Sequence, residues 1–229
     1  MTKKIFYLVL IMLTLFNTNC LAQKKKKQTK VLISTEYGNI KIALYNETPK
    51  HRDNFIKLVK EGFYDSLLFH RVMKNFMIQG GDPESKGAKE GAALGNGGPG
   101  YTIPPEFNPK FIHKKGALAT ARQPDSWNPK KESNGSQFYI VQGRKFEKDE
   151  VVKINNQKNA RRDTAITYTE EQYKTYEEIG GYPSLDMEYT VFGEVIEGLE
   201  VIDKIAENEV DRRNRPKKDV KMSIKIVKK

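Results

Sequence analysis

The sequence predicts a mainly β chain closed into a barrel and capped by helices. Three observations predict it. Short runs with alternating apolar residues recur from Val31 to Val227, the period of a strand with one face buried. Helical spacing is confined to two windows near the ends of that order, apart from one inserted segment. The length, 229 residues, is one that single β-barrels reach as one domain. With 38% apolar and 10% aromatic residues the chain can build a core, and its mean hydropathy of −0.67 describes a soluble protein.

Each element follows from local chemistry. Residues 23–30 are polar and basic and read as a flexible tail. Residues 31–35 and 39–44 alternate around Tyr37-Gly38 as a β-hairpin. Thr48 is an N-cap residue with Pro49 at the first helical position, and Phe55, Leu58 and Val59 repeat at helical spacing before Gly62. Strands are expected at 67–72 and 76–79, turning at Lys74-Asn75. Residues 84–109 form a long loop rich in Gly and Pro. Within it Gly95, Gly97 and Gly100 match the spacing of a dinucleotide-binding loop, but two prolines in 101–105 forbid the helix that would hold a phosphate. Strands follow at 116–121, 137–142 and 189–195, then a helix over 199–206 and a closing strand at 220–227. The charged segment 144–180 reads as an insertion, with a helix over about 170–179 from the Thr169/Gln172 capping box and the Tyr173, Tyr176, Ile179 stripe.

The first 22 residues read as an export signal: Lys3 and Lys4, an apolar run over 5–16, then small residues at Cys20 and Ala22, with cleavage after Ala22. The run is short of the roughly 20 apolar residues that span a bilayer. The alternatives are a buried helix and a lipid anchor at Cys20, the latter disfavoured by the bulky Asn19 before it. The expected location is the periplasm or cell envelope. Cys20 is the only cysteine, so the mature domain has no disulfide or thiol chemistry. The net charge of +11 is scattered apart from clusters at 24–27 and 212–218, and no zinc-ligand, helix-turn-helix or RNA-binding signature accompanies it, which argues against nucleic acid. His51, His70 and His113 lie far apart, which argues against a metal.

One stretch asks for a function. FHRVMKNFMIQGGD, 69–82, sets Arg71 in an apolar run, where a cation must find a partner, reach water or work on a ligand. An ion pair with Asp65 or Asp82 is the plain structural reading. Together with GALATAR at 116–122, NGSQFYI at 134–140 and YTVFGEV at 189–195, the stretch resembles the cyclophilin family of peptidyl-prolyl cis-trans isomerases. The resemblance covers about 31–143 and 181–228, and so a domain over 31–229 with the insertion inside it. It implies an eight-stranded antiparallel barrel closed by a helix at each end, a groove on one outer face, proline-containing polypeptides as partners, a monomer, and no cofactor or metal. By the same resemblance Arg71 and Gln79 are catalytic. Phe76, Met77, Tyr139 and Leu185 floor a proline pocket that Tyr189 lines, Gln137 stands near Gln79, and the main chain at Ala121 and Arg122 holds the residue before proline. His70 is expected to face away from the groove and to be structural. Tyr139 replaces the commoner Phe, Tyr189 a His, Arg122 an Asn, and Ser184 stands where eukaryotic members often carry a Trp that meets cyclosporin. The implied role is folding of exported proteins, the alternative a non-catalytic proline-peptide-binding chaperone.

Overall fold

The computed structural model describes residues 27–227, so the expected signal and the Cys20 anchor lie outside the described residues. Eleven strands are β1 Lys30–Thr35, β2 Gly38–Leu44, β3 Leu67–Leu68, β4 Arg71–Met73, β5 Met77–Gly80, β6 Thr102–Ile103, β7 Ala117–Thr120, β8 Ser133–Asn134, β9 Phe138–Val141, β10 Val191–Glu197 and β11 Lys221–Ile226. Nine of them form one antiparallel sheet in the order β3-β11-β1-β2-β10-β7-β9-β5-β4, and β6 pairs with β8 apart from it. The expected ring of eight strands is therefore corrected. The sheet curls until its two end strands, β3 and β4, are separated only by Phe69 and His70, and no ladder joins them. The 67–72 run bends here, giving two short strands where alternation alone suggests one.

Helix α1, Pro49–Lys60, buries His51, Phe55, Leu58 and Val59, as the apolar spacing requires. Its cap differs from expectation. The Thr48 hydroxyl makes no cap hydrogen bond; the Glu106 carboxylate accepts instead from the backbone amides of Lys50 (3.1 Å) and His51 (3.0 Å) and from His51 Nδ1 (2.7 Å). An anion at the helix N-terminus supplies the acceptor and meets the positive end of the dipole. The loop expected over 84–109 thus holds both this cap and strand β6.

Two further helices, α2 Lys148–Asn159 and α3 Glu170–Glu178, make up most of the insertion. The capping box of α3 forms as the sequence predicts, whereas α2 is a helix to which the sequence reading assigned no element. It starts at a second capping box between Glu147 and Glu150, yet buries only Val151 and Asn155, too little of a stripe to show as periodicity. Helix α4, Leu199–Ala206, buries Val201, Ile202, Ile205 and Ala206. It follows Gly198 at φ +89°, where a Cβ would lie 2.2 Å from the Asn39 carbonyl oxygen.

Two-residue periodicity sorts the sheet into two apolar layers. Ile78, Leu118, Phe138 and Ile140 face the main core, which α1 and α4 complete. Their neighbours Met77, Ala117, Ala119, Tyr139 and Val141 face outward into a second cluster with Phe76, Tyr182, Leu185 and Tyr189. The site lies on this outer layer.

Candidate active site

Strand register sets the site out as a row. Arg71 pairs with Gln79, Gln79 with Tyr139, Tyr139 with Ala119, and Ala119 with Val191. Directly opposed residues share a face, so five strands, β4, β5, β9, β7 and β10, present one line of side chains outward. Alongside it, Met73 pairs with Met77 and Met77 with Val141. The turn at Pro183–Leu185 and the segment after it bring Leu185 and Tyr189 over this surface.

What remains open is a cavity of about 140 Å³ lined by Arg71, Phe76, Met77, Gln79, Ala121, Arg122, Tyr139, Leu185 and Tyr189. All the residues singled out from the sequence are here except Gln137, which stands behind Gln79. Ligand pockets for whole small molecules run to about 300 Å³ and more; this one has the size of a side-chain pocket. Phe76 packs against Tyr182 with ring centres 4.3 Å apart and the planes tilted by 37°, and Tyr139 meets Tyr189 edge-on at 6.0 Å. Ser184 is exposed and does not line the cavity.

Arg71 is half-buried, and among the described residues it forms no ion pair, so the pairing with Asp65 or Asp82 is corrected. Asp82 is committed elsewhere, accepting from the amides of Glu84 (2.9 Å) and Gly95 (2.5 Å). Arg71 Nη1 donates to Gln79 Oε1 (3.1 Å) and Nη2 to Met73 Sδ (3.2 Å), with the guanidinium 5.8 Å from the Phe76 ring centre. Burial pulls its pKa below the ordinary arginine value, far too little to discharge a guanidinium near neutrality.

The amides behind Arg71 have determined orientations. Gln137 Nε2 donates to the carbonyls of Gly95 (3.0 Å) and Gly97 (2.7 Å), which can only accept. Gln137 must therefore turn its oxygen to Gln79 Nε2 (2.9 Å), leaving the Gln79 oxygen for Arg71. Gly95 and Gly97 of the near-match to a dinucleotide loop thus offer carbonyl oxygens inward, the wrong polarity for phosphate.

Tyr139 is tied from below. Its hydroxyl lies 3.0 Å from His113 Nε2, and His113 Nδ1 lies 2.8 Å from Asp186 Oδ1, which also accepts from the His113 amide at 2.7 Å. In the tautomer whose Nδ1 proton faces the carboxylate, Nε2 is the acceptor and Tyr139 donates to it. Asp186 Oδ2 accepts from Tyr168 (2.6 Å) and Tyr176 (2.5 Å), both within the insertion. Burial first, then the charge of Asp186, raises the pKa of both tyrosines, so both remain donors. From α2 and the chain after it, Lys158 (2.6 Å) and Arg162 (3.0 Å) donate to the Asp186 carbonyl. Glu188 is gripped by Lys131 and Arg162; burial alone would raise its pKa, and these two cations hold it below the ordinary value. The insertion therefore braces the segment that carries Leu185 and Tyr189. Sequence reasoning missed His113 and Asp186, weighing the histidine only as a metal ligand; they are 73 residues apart and nothing in one sequence pairs them.

Arg122 packs its guanidinium 4.6 Å from the Tyr189 ring centre and donates to the Glu188 carbonyl (2.9 Å) and to Asp125 (2.5 Å). At Ala121 the N–H donates to the Gln137 carbonyl (3.0 Å) and the carbonyl accepts from Asn134 N–H (2.8 Å). The N–H and carbonyl of Arg122 make no hydrogen bond within the described residues. No group of three or more potential metal-ligating side chains occurs among the described residues, and no described helix is long and apolar enough to cross a membrane.

Residues 30–226 match the family of cyclophilin type peptidyl-prolyl cis-trans isomerase/CLD. The chain belongs to the cyclophilin family. Among its relatives is a Staphylococcus aureus protein named as a peptidyl-prolyl cis-trans isomerase, 33% identical over 194 residues that cover 84% of this chain and 88% of that one. A Streptococcus pyogenes protein named as a bifunctional phosphatase/peptidyl-prolyl cis-trans isomerase is 36% identical over 196 residues, where this cyclophilin spans only 37% of its length. The crystal structure of a Cryptosporidium parvum cyclophilin type isomerase superposes with a TM-score of 0.62 at 25% identity, covering 88% of this chain and 99% of that one. This cyclophilin is a peptidyl-prolyl cis-trans isomerase by family.

Proposed function

We propose that Arg71 and the apolar cavity beside it accelerate rotation about X-Pro bonds in exported polypeptides. One observation carries this reading: a charged guanidinium without a carboxylate partner is held by neutral amides at the wall of a ring-sized apolar pocket. The barrier to rotation is about 20 kcal/mol because the C–N bond has partial double-bond character. Nothing is cleaved, so no nucleophile is needed. Phe76, Met77, Tyr139 and Leu185 hold the prolyl ring, and the uncommitted N–H and carbonyl of Arg122 hold the main chain before it. As the amide twists, its lone pair localises on the prolyl nitrogen, and an N–H of Arg71 not used by Gln79 or Met73 donates to it. A carboxylate beside Arg71 would have weakened that field; its absence keeps the charge for the transition state. Lowering the barrier by about 7 kcal/mol corresponds to about 10⁵ in rate.

The test is turnover of an X-Pro peptide by Arg71→Ala and Arg71→Lys. Removing one such donor should cost about 10²–10³ in kcat, and Lys should rescue little because an ammonium lacks the planar fork. Near-wild-type turnover by folded Arg71→Ala overturns the mechanism. Export rests on the basic start and the apolar run of the first 22 residues; mass spectrometry of envelope protein should find Gln23 at the N-terminus, whereas a lipid-modified Cys20 would replace cleavage by anchoring.

A further inference from the structure

A second cavity, of about 240 Å³, shares Arg71 and Gln79 with the proline pocket and continues on their other side between His70, the loop at Ala92, Leu94, Gly95 and Asn96, and the turn carrying Arg213 and Arg215. His70 lines it while only 3% exposed, and neither ring nitrogen has a hydrogen-bonding partner among the described residues. A buried ring with two unpaired nitrogens is a cost that a ligand can relieve.

The charges around the cavity are unequal. Arg215 is neutralised by Asp219 at 2.8 Å and fastened to the carbonyls of Lys89 (2.9 Å) and Ala92 (3.1 Å). Asp82 spends its oxygens on the Glu84 and Gly95 amides, and Asp211 accepts the backbone amides of Arg213 (2.8 Å) and Arg215 (2.9 Å). Arg71 and Arg213 remain, two guanidiniums with no ion pair among the described residues, both lining one hollow.

We infer that this hollow is a client subsite for an acidic side chain, a Glu or Asp within three residues of the isomerised proline. It rests on the proline occupying the adjoining pocket. An extended peptide advances about 3.3 Å per residue, so a side chain a few positions from the ring reaches Arg213. There its carboxylate meets a planar fork suited to two-point contact, and the unpaired ring of His70 supplies a further polar contact deeper in.

The experiment is kcat/KM at low salt for X-Pro peptides carrying Glu, Gln or Lys at each of the three positions before and after the proline, with wild-type enzyme and with Arg213→Gln. At one position Glu should exceed Gln by about fivefold and Lys should fall below it, the preference shrinking in 0.5 M salt as screening demands. Arg213→Gln should abolish the preference while turning over the Gln peptide normally. Equal rates for Glu and Gln peptides at every position, or a preference that survives Arg213→Gln, overturns the subsite. Those outcomes leave turnover of neutral peptides intact, whereas failure of the proline-pocket reading would appear as full turnover by Arg71→Ala.

Discussion

Replacing Tyr168 and Tyr176 with Phe removes both hydroxyls that reach Asp186 Oδ2, at 2.6 and 2.5 Å, without changing either ring. Asp186 is 3% exposed, so water cannot readily replace them. A hydrogen bond to a charged group contributes about 1.5–3 kcal/mol. Each single variant should therefore lose about 2 kcal/mol, a fall in Tm of roughly 4–8 °C for a chain of this size. The double variant should lose more than the sum, because one oxygen is shared and the second deletion leaves it with no donor, so a double-mutant cycle should show coupling above about 0.5 kcal/mol. The brace also predicts a kinetic signature. Asp186 adjoins Leu185 and fixes His113 beneath Tyr139, so loosening it should raise KM about threefold with kcat nearly unchanged, loss of binding shared by ground and transition states. Thermal melts and a prolyl isomerisation assay read both quantities. A double variant that melts with the wild type refutes the brace; one that melts early but keeps its KM refutes the link to the pocket.

Stability should also depend on pH through His70. Burial, its largest cause, lowers the pKa from 6.5 to about 4. The unfolded chain then takes up a proton below pH 6.5 that the folded chain refuses, so stability is complete above 6.5 and falls by about 3 kcal/mol as pH drops toward 4. Urea titrations of His70→Gln should show a shallower decline over that window, and parallel curves would refute the assignment. Cyclosporin should bind weakly, since Ser184 is exposed and off the cavity; Ser184→Trp should tighten it by about 30-fold, a contact of about 2 kcal/mol, with little change in turnover. Tight inhibition of the unmodified enzyme would refute this.

What could be read in the sequence was whatever local chemistry decides. The stripe from Leu199 to Ala206 marks α4 because four of its eight residues are buried. The insertion helix α2 escaped because its polar surface nearly surrounds it. Thr48 has the right chemistry for a cap and lost to Glu106, a residue 55 positions or more from the amides it caps. The grouping around Arg71 was legible through motif resemblance, and strand register explains it: residues scattered from 71 to 139 become neighbours because their strands are. The His113–Asp186 pairing and the tyrosines beneath it depend on where an insertion docks, which local pattern does not encode.

The position of β11 between β1 and β3 has a consequence for biosynthesis. A nascent chain stopped before Lys221 would leave both of those strands with an unpaired edge, since each pairs with β11 on that side. Open edges of this kind recruit other chains. This isomerase thus completes its own sheet only once β11 has been delivered, and a fragment ending before Lys221 should be found in aggregates rather than as a weakened enzyme.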